Sequence, residues 1–120
     1  PITSTLQLAQ VLKQALGSKR SRIHPATRTF MALRIAVNSE LENLKLALKQ
    51  TINLIRLQGR LVVISYHSLE DRIVKEFMRH EASSCILKLI SRKVIKPTSL
   101  EIESNPRCRS ARMRVAERLK

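Results

Sequence analysis

The chain has 120 residues and a formal net charge of +14, with 43% hydrophobic but only 2% aromatic residues. This length predicts one small domain with an aliphatic core. No apolar stretch approaches the roughly 18 residues that a membrane-spanning helix needs, so the composition excludes that class of protein.

The positive charge is concentrated at the two ends of the chain. Residues 1–39 contain six basic and no acidic residues, residues 40–83 seven and six, and residues 84–120 ten and three. Basic flanks favour a nucleic acid, because each neutralised phosphate releases condensed counterions. A membrane surface is a weaker alternative, since no basic helix with a bulky aromatic face is present. A merely solvated basic surface is the third interpretation.

The first predicted element is a short amphipathic helix. Ser4 and Gln7 form a plausible capping box at its start, and Gly17 supplies a left-handed stop. Residues 18–27, with the sequence SKRSRIHPAT, are typical of a basic loop, because Pro25 disfavours helix in the residue before it. This loop is the predicted internal boundary.

The cysteines and the start of the chain bound its environment. Cys85 and Cys108 have no metal-ligand spacing around them, which predicts free thiols in a reducing compartment. The start, PITSTLQLAQ, lacks a Met and a charged leader with an apolar core. We therefore expect no signal peptide, and a chain that is processed, excised or truncated.

From Arg28 the pattern predicts one long helix. Apolar residues recur at steps of four and three from Leu33 to Ile55, and the helix predicted from Arg28 has about eight turns. Such a regular stripe indicates core packing rather than a cofactor site. Gln58 and Gly59 end this helix.

The most informative segment is RLVVISYHSLEDR at residues 60–72. Its apolar run, Leu61 to Ile64, is continuous rather than alternating, which predicts a strand covered by helices on both faces. In open parallel sheets, ligands bind at the carboxyl ends of the strands. The candidate ligand contacts are therefore the four residues that follow the run: Ser65, Tyr66, His67 and Ser68.

A helix is predicted to begin immediately after this strand. Ser68 and Asp71 have the spacing of a capping box, and Leu69, Ile73 and Phe77 are expected on the buried side of the helix. We interpret Ser68 and Asp71 as structural caps on this basis.

The remaining polar residues of the segment have alternative interpretations. His67 is a candidate base, a hydrogen-bond donor to a ligand, or only a cap that orders the turn. Glu70, Asp71 and Arg72 have the residue types of an active-site constellation. A capping carboxylate and a surface ion pair explain Asp71 and Arg72 as well, and we favour that structural interpretation.

The last third of the chain predicts two more strands. Residues 86–95 resemble a strand whose imperfect alternation a bulge would explain. Thr98 and Glu101 have the spacing to cap one helical turn, and Asn105 with Pro106 marks another turn. Residues 111–118 alternate between an apolar and an arginine-bearing face, which predicts a final strand, although their composition also tolerates a helix.

These elements indicate an α/β fold that resembles the back half of a doubly wound sheet. A helix that leads to a buried parallel strand requires a partner strand, and nothing before Leu61 resembles one. No glycine-rich phosphate loop, His/Cys metal cluster or nucleophile elbow is present in the sequence.

Residues 105–114, with the sequence NPRCRSARMR, form the second candidate site. Four arginines within this segment suit bidentate contacts to phosphates of RNA or DNA. Pairing of some of them with Glu101, Glu103 or Glu117 is the structural alternative. The Asn-Pro-Pro-aromatic motif of amino-group methyltransferases is not matched, because the second Pro and the aromatic residue are missing.

Three segments resemble the signature blocks of the MraW or RsmH family, bacterial small-subunit ribosomal RNA cytosine-N4 methyltransferases with mitochondrial relatives. They are HPATRTFMALRIAVNSEL at 24–41, GRLVVISYHSLEDRIVKEF at 59–77 and NPRCRSARMRVAER at 105–118. The chain departs from the family pattern at three positions. Gln58 stands where a second Gly is common, Tyr66 where Phe is usual, and Cys108 where Ala or Gly is frequent.

The resemblance implies an S-adenosylmethionine-dependent enzyme with a Rossmann-like domain interrupted by a helical insertion, which methylates the exocyclic amine of a decoding-site cytidine. Residues 1–24 resemble the end of the insertion, and residues 25–120 the carboxyl-terminal part of the Rossmann-like domain. The main cofactor motif of the family lies upstream. We therefore expect no cofactor-binding residue and no metal ligand in this chain, and no activity of the chain alone.

The resemblance also assigns roles and partners. Ser65, Tyr66, His67 and Ser68 become substrate-side candidates. The expected partner is ribosomal RNA in the small subunit, with self-association or pairing with a missing amino-terminal half as a further expectation. The expected location is the bacterial cytoplasm, with mitochondria as the alternative. The candidate RNA-binding residues are Lys19, Arg20, Arg22, Arg28, Arg107, Arg109, Arg112 and Arg114.

Overall fold

A computed structural model describes residues 1–17 and 24–120 of the chain. These residues divide into two compact units, Pro1–Glu40 and Leu41–Lys120. The division lies later in the chain than the loop predicted as the boundary, residues 18–27, of which residues 18–23 lie outside the described part. The assignment of residues 1–24 to a helical insertion therefore stays a prediction.

The first unit begins with helix α1 (Thr5–Leu16). The Ser4 hydroxyl accepts a hydrogen bond of 3.2 Å from the backbone N–H of Gln7, and the Gln7 side chain accepts one of 2.8 Å from the N–H of Thr3. Gly17 ends the helix with φ +67°, in the left-handed region that favours glycine. The predicted helix, the Ser4 cap and the Gly17 stop are confirmed, but the full capping box is not formed, because Gln7 accepts from Thr3 and not from Ser4.

The single long helix is wrong, because the structure has two helices there: α2 (Thr27–Val37) and α3 (Glu40–Leu54). Ser39 lies between them with φ +49° and interrupts the helical backbone. The guanidinium of Arg34 holds the carboxylate of Glu40 across the break, with Nε 2.9 Å from Oε1. The apolar stripe continues through the break, so its period could not reveal the interruption.

The second unit contains a three-stranded sheet of β1 (Arg60–Ser65), β2 (Leu87–Leu89) and β3 (Arg112–Arg118). The strand order is β1-β3-β2, and β3 is antiparallel to both neighbours. β1 and β2 therefore run in the same direction, and helix α4 (Ser68–Ser83) connects them. β3 separates them, so the described strand pairings are antiparallel. Two strands of the same direction joined through a helix still form the βαβ crossover of α/β folds, and the α/β fold class is confirmed.

β2 is shorter than the strand predicted over residues 86–95. The backbone N–H groups of Ile90 and Ser91 both donate to the carbonyl of Val115, at 3.0 and 3.2 Å. Two residues opposite one interrupt the ladder in the manner of a bulge. Pairing resumes only as an isolated bridge between Ile95 and Met113.

The core of the second unit lies between one face of the sheet and the helices α3 and α4. Two-sided burial of β1 is therefore wrong within the described chain, because both helices pack on the same face. Val62 and Ile64 on the other face are 52% and 54% exposed. The buried core residues are Leu48, Leu61, Val74, Met78, Leu87 and Ala116.

The connection to β3 contains helix α5 (Ser99–Ser104) and a 3-10 helix (Pro106–Ser110). The Thr98 hydroxyl accepts a 3.2 Å hydrogen bond from the N–H of Glu101, which confirms the predicted cap. Within residues 1–17 and 24–120, no helix has the length and apolar content to cross a membrane. Cys85 and Cys108 are both free, as predicted.

Candidate functional site

The four candidate ligand contacts form the turn that joins β1 to α4. Ser65 ends the strand and is only 3% exposed, whereas Tyr66 is 58% exposed. His67 is the N-cap of α4, and Ser68 is the first residue of the helix. The turn therefore presents an aromatic ring and the Ser68 side chain to solvent, while the Ser65 hydroxyl lies inside.

The cap of α4 lies one residue earlier than predicted. His67 Nδ1 accepts a 3.3 Å hydrogen bond from the N–H of Glu70, and Glu70 Oε2 accepts one from the N–H of His67, also at 3.3 Å. The same carboxylate oxygen accepts the N–H of Tyr66 at 3.0 Å. The capping pair is therefore His67 and Glu70, and the capping roles predicted for Ser68 and Asp71 are wrong.

This geometry narrows the chemistry of His67. Its Nδ1 accepts a backbone N–H, so the neutral ring carries its proton on Nε2 and the only basic lone pair is already in use. Nε2 lies 3.3 Å from Glu70 Oε1. Of the three interpretations of His67, the cap is confirmed and a general base is disfavoured. Donation of the Nε2 proton to a ligand stays a prediction.

Two polar atoms of the turn are buried without a hydrogen-bond partner among the described residues. They are the hydroxyl oxygen of Ser65 and Nε2 of His67, whose 3.3 Å contact with Glu70 Oε1 does not have hydrogen-bond geometry. An unsatisfied buried polar group costs about 1–3 kcal/mol, and such groups are rare in native proteins. These two atoms without hydrogen-bond partners lie at the end of β1, where the sequence predicts a ligand.

Asp71 is a buried ion-pair residue rather than a cap. Its carboxylate accepts hydrogen bonds of 2.7 and 3.1 Å from Arg114 and one of 3.4 Å from Arg112. Hydrogen bonding and charge attraction from these guanidinium groups hold the pKa of Asp71 below its ordinary value, although burial opposes them. The pair joins the first turn of α4 to the central strand.

The buried side of α4 is correspondingly different from the predicted one. Asp71, Val74 and Met78 are the buried residues of the helix, and they follow one another at steps of three and four. Leu69, predicted to be buried, is 42% exposed. Ile73 and Phe77 pack against the edge of the core.

The candidate RNA-binding residues separate into three groups. Arg107 and Arg109 are exposed on the 3-10 helix, and Arg28 is exposed on α2 in the first unit. Lys19, Arg20 and Arg22 lie outside the described residues.

The third group comprises the two arginines that pair with Asp71. The side chain of Arg114 is only 12% exposed and its guanidinium is committed to Asp71, so we correct its assignment from RNA contact to structural ion pairing. Arg112 makes one longer contact to Asp71 and its side chain stays 38% exposed, so an RNA contact remains a prediction for it.

S-adenosylmethionine does not fit the described residues of this turn. A ribose ligand would need an uncommitted carboxylate, but Glu70 holds backbone N–H groups and Asp71 holds two arginines. The turn between β1 and α4 contains no glycine that would let a backbone approach a cofactor closely. Within the described residues the turn therefore lacks the free carboxylate and the glycine that these two contacts would use.

The sequence analysis named two residues that build this site, Glu70 and Arg114, but missed the roles that the structure gives them. Glu70 fixes the turn from the position three residues after the N-cap, where a capping box places its Glu. This signal was hidden because His is an unusual N-cap residue, so Ser68 was chosen as the cap. Arg114 was identified as a cation, but its partner lies 43 residues away in the chain. No local pattern reports a contact of that separation.

Comparison with known proteins identifies the family. Residues 1–119 match the model of the MraW methylase family. Proteins named ribosomal RNA small subunit methyltransferase H are 54% identical in Dehalococcoides mccartyi strain 195 and 50% identical in Thermomicrobium roseum. The alignments cover 99% of this chain but 38% and 41% of those relatives, so the chain spans about two fifths of their length. The chain belongs to the MraW methylase family.

Proposed function

We propose that this chain forms the substrate-side part of an enzyme that methylates the N4 amine of a cytidine in small-subunit ribosomal RNA. The observation that carries the proposal is the match of nearly the whole chain to relatives whose names state ribosomal RNA methylation. S-adenosylmethionine is the proposed methyl donor of the whole enzyme, held by residues outside this chain. Residues 1–24 would end its helical insertion, and residues 25–120 would complete its Rossmann-like domain.

The proposed reaction requires residues that hold the cytosine base in position. The lone pair of an exocyclic cytosine amine is conjugated with the ring, so the amine is a poor nucleophile and the base must be held in a defined orientation. In RNA recognition, unstacked bases are commonly held by aromatic rings and by hydrogen bonds to their edges. The exposed ring of Tyr66 and the hydroxyl of Ser68 are the groups of the β1–α4 turn that suit these two tasks.

The rigidity of the turn supports this role. Glu70 fixes the backbone of both Tyr66 and His67 through its carboxylate, and His67 in turn fixes the first turn of α4. A base stacked on Tyr66 would therefore meet a preorganised surface, which lowers the entropic cost of orienting it.

The first test removes the exposed arginines of the 3-10 helix. The double variant Arg107→Ala, Arg109→Ala should bind a single-stranded RNA more weakly. It should also reduce the magnitude of the negative slope of log K, the association constant, against log salt by about 1.4, because two phosphate contacts are lost. The measurement is a salt series of fluorescence anisotropy titrations on the 120-residue chain.

The control for that test removes the same charge elsewhere. Lys45 and Lys49 are exposed on α3, and the double variant Lys45→Ala, Lys49→Ala loses the same two charges. It should leave the slope nearly unchanged. Equal slopes in wild type and the Arg107/Arg109 variant would remove the RNA-contact role of the 3-10 helix.

A non-catalytic basic RNA-binding module is the second candidate function, favoured by the exposed Arg107 and Arg109, which need no cofactor to contact a phosphate. Calorimetric titration of the chain with S-adenosylmethionine should give no measurable heat of binding under either function. Micromolar affinity would show that the cofactor site has been misplaced. Methyl transfer that appears when the chain is mixed with the amino-terminal part of a relative would decide against the non-catalytic module.

The proposed partners follow from the same reasoning. The small ribosomal subunit is the macromolecular partner, and pairing with an amino-terminal half or with a second copy would complete the open sheet. We place the protein in the bacterial cytoplasm, with mitochondria as the alternative location.

A further inference from the structure

A small depression lies between α4 and the segment that follows β2, on a part of the second unit to which the sequence assigned no role. Met78 and Leu89 contribute apolar atoms to its wall. Three cationic side chains also line it: Lys75 and Arg79 from α4, and Arg92 from the segment after β2. Lys75 and Arg79 are four residues apart, which places them on one face of the helix.

These three cations have no acidic partner among the described residues. The ion pairs of residues 1–17 and 24–120 join Arg34 to Glu40 and Asp71 to two arginines, and the close contact of His67 with Glu70 involves none of the three cations. Arg114 also lines the depression, but Asp71 neutralises it. The local charge is therefore positive and uncompensated.

The same depression offers a hydroxyl donor. The oxygen of Ser91 accepts a 2.9 Å hydrogen bond from the backbone N–H of Val115, which leaves the hydroxyl hydrogen free to donate outward. Guanidinium, ammonium and hydroxyl donors around one point are the donor set that proteins use for phosphate oxygens.

The depression is small and opens beside a larger hollow. The depression itself holds only about 10 Å³, enough for a single oxygen atom. A second, open hollow of about 520 Å³ adjoins it, and Arg79 and Arg92 line both. A phosphate oxygen seated in the first would leave its sugar at the second, and the proposed function makes an RNA chain the source of both.

We propose that Lys75, Arg79 and Arg92, with the Ser91 hydroxyl, form a second phosphate-binding surface for the RNA backbone, separate from the 3-10 helix. This inference rests on the proposed function in that the ligand is RNA, and it extends the footprint along α4. Lys88 also lines the open hollow, but it is registered opposite Glu117 in the sheet and is left out of the surface.

The test is a triple variant, Lys75→Gln, Arg79→Gln, Arg92→Gln, titrated with a labelled single-stranded RNA over a salt series. Loss of three phosphate contacts should reduce the magnitude of the negative slope of log K against log salt by about 2. Binding should weaken at least tenfold at low salt. Circular dichroism melts establish that the variant is folded. Should the triple variant unfold, the double variant Lys75→Gln, Arg92→Gln is expected to reduce the magnitude of the slope by about 1.4.

Two controls separate a local surface from general charge. The variant Lys75→Arg, Arg79→Lys, Arg92→Lys keeps every charge and should bind with a wild-type slope. The variant Lys45→Gln, Lys49→Gln, Arg56→Gln removes the same net charge from exposed positions on and just after α3. It should change the slope far less than the triple variant does.

The outcomes distinguish this inference from the proposed function. If the Arg107/Arg109 variant loses slope and the triple variant does not, the second surface is overturned while RNA binding stands. Equal losses in the triple variant and the Lys45/Lys49/Arg56 control would also overturn it. If no variant changes the slope, the proposed RNA binding itself fails.

Discussion

Replacement of Asp71 by Asn is expected to lower the free energy of unfolding by about 3 kcal/mol, because it leaves the buried guanidinium of Arg114 without a counter-charge. The side chains of Asp71 and Arg114 are only 10% and 12% exposed, and two hydrogen bonds of 2.7 and 3.1 Å join them. Asn retains the size of Asp but accepts through one oxygen and carries no charge. Urea unfolding monitored by circular dichroism gives the difference.

A double replacement provides the control for this effect. In Asp71→Asn, Arg114→Met the unpaired buried charge is gone, so much of the lost stability should return. A double variant that is less stable than Asp71→Asn would show that Arg114 stabilises the fold through packing of its aliphatic stem and not through the ion pair.

The pH dependence of the same pair has a defined sign. The pKa of Asp71 is lowered in the folded protein, above all by its hydrogen bond from Arg114. The unfolded chain therefore binds this proton more readily, and the contribution of Asp71 is complete above pH about 4 and is lost as the pH falls through the lower folded value. The stability difference between wild type and Asp71→Asn should shrink over that window and be constant between pH 5 and 8.

The second large effect is expected at Gly59, where replacement by Ala should cost about 2 kcal/mol. A Cβ atom there would lie 2.6 Å from Cγ2 of Ile55 and 2.7 Å from the carbonyl oxygen of Arg56. That carbonyl accepts the N–H of Gly59 at 2.9 Å, so the backbone cannot withdraw without loss of the hydrogen bond that closes the turn. Thermal melts of the variant measure the effect.

The adjacent position supplies the matched control. Gln58 has φ +62°, in the left-handed region, and relief of that conformation by glycine is worth about 1–2 kcal/mol. Glycine also loses more conformational entropy on folding, which offsets about half of this gain in stability. Gln58→Gly should therefore stabilise the protein slightly. Destabilisation by Gln58→Gly together with a neutral Gly59→Ala would contradict the backbone geometry of this turn.

The burial of β1 is the point at which the sequence prediction and the structure differ most. Val62 and Ile64 have the apolar composition of a strand buried on both sides, yet α3 and α4 cover only one face within the described chain. The sequence records the environment for which the strand is suited, whereas the accessible area depends on which elements are present to cover it.

The sequence by itself determined the elements whose signals are local. Ser4, Gly17 and Thr98 act on residues within one helical turn, so α1 and α5 begin or end where their capping residues predicted. The apolar run of β1 and the alternation of β3 likewise depend only on neighbours in the chain. The three signature blocks indicated the family for the same reason, because they are patterns of neighbouring residues and require no knowledge of tertiary contacts.

Only the tertiary structure decided the features that depend on distant partners. Asp71 became an ion-pair residue because the sheet brings Arg114 beside it from 43 positions away. The choice of His67 over Ser68 as the N-cap depended on the exact backbone direction as β1 ends. The uncompensated cations of α4 and Arg92 meet only because the chain returns through β2, and no pattern within a few residues encodes such a meeting.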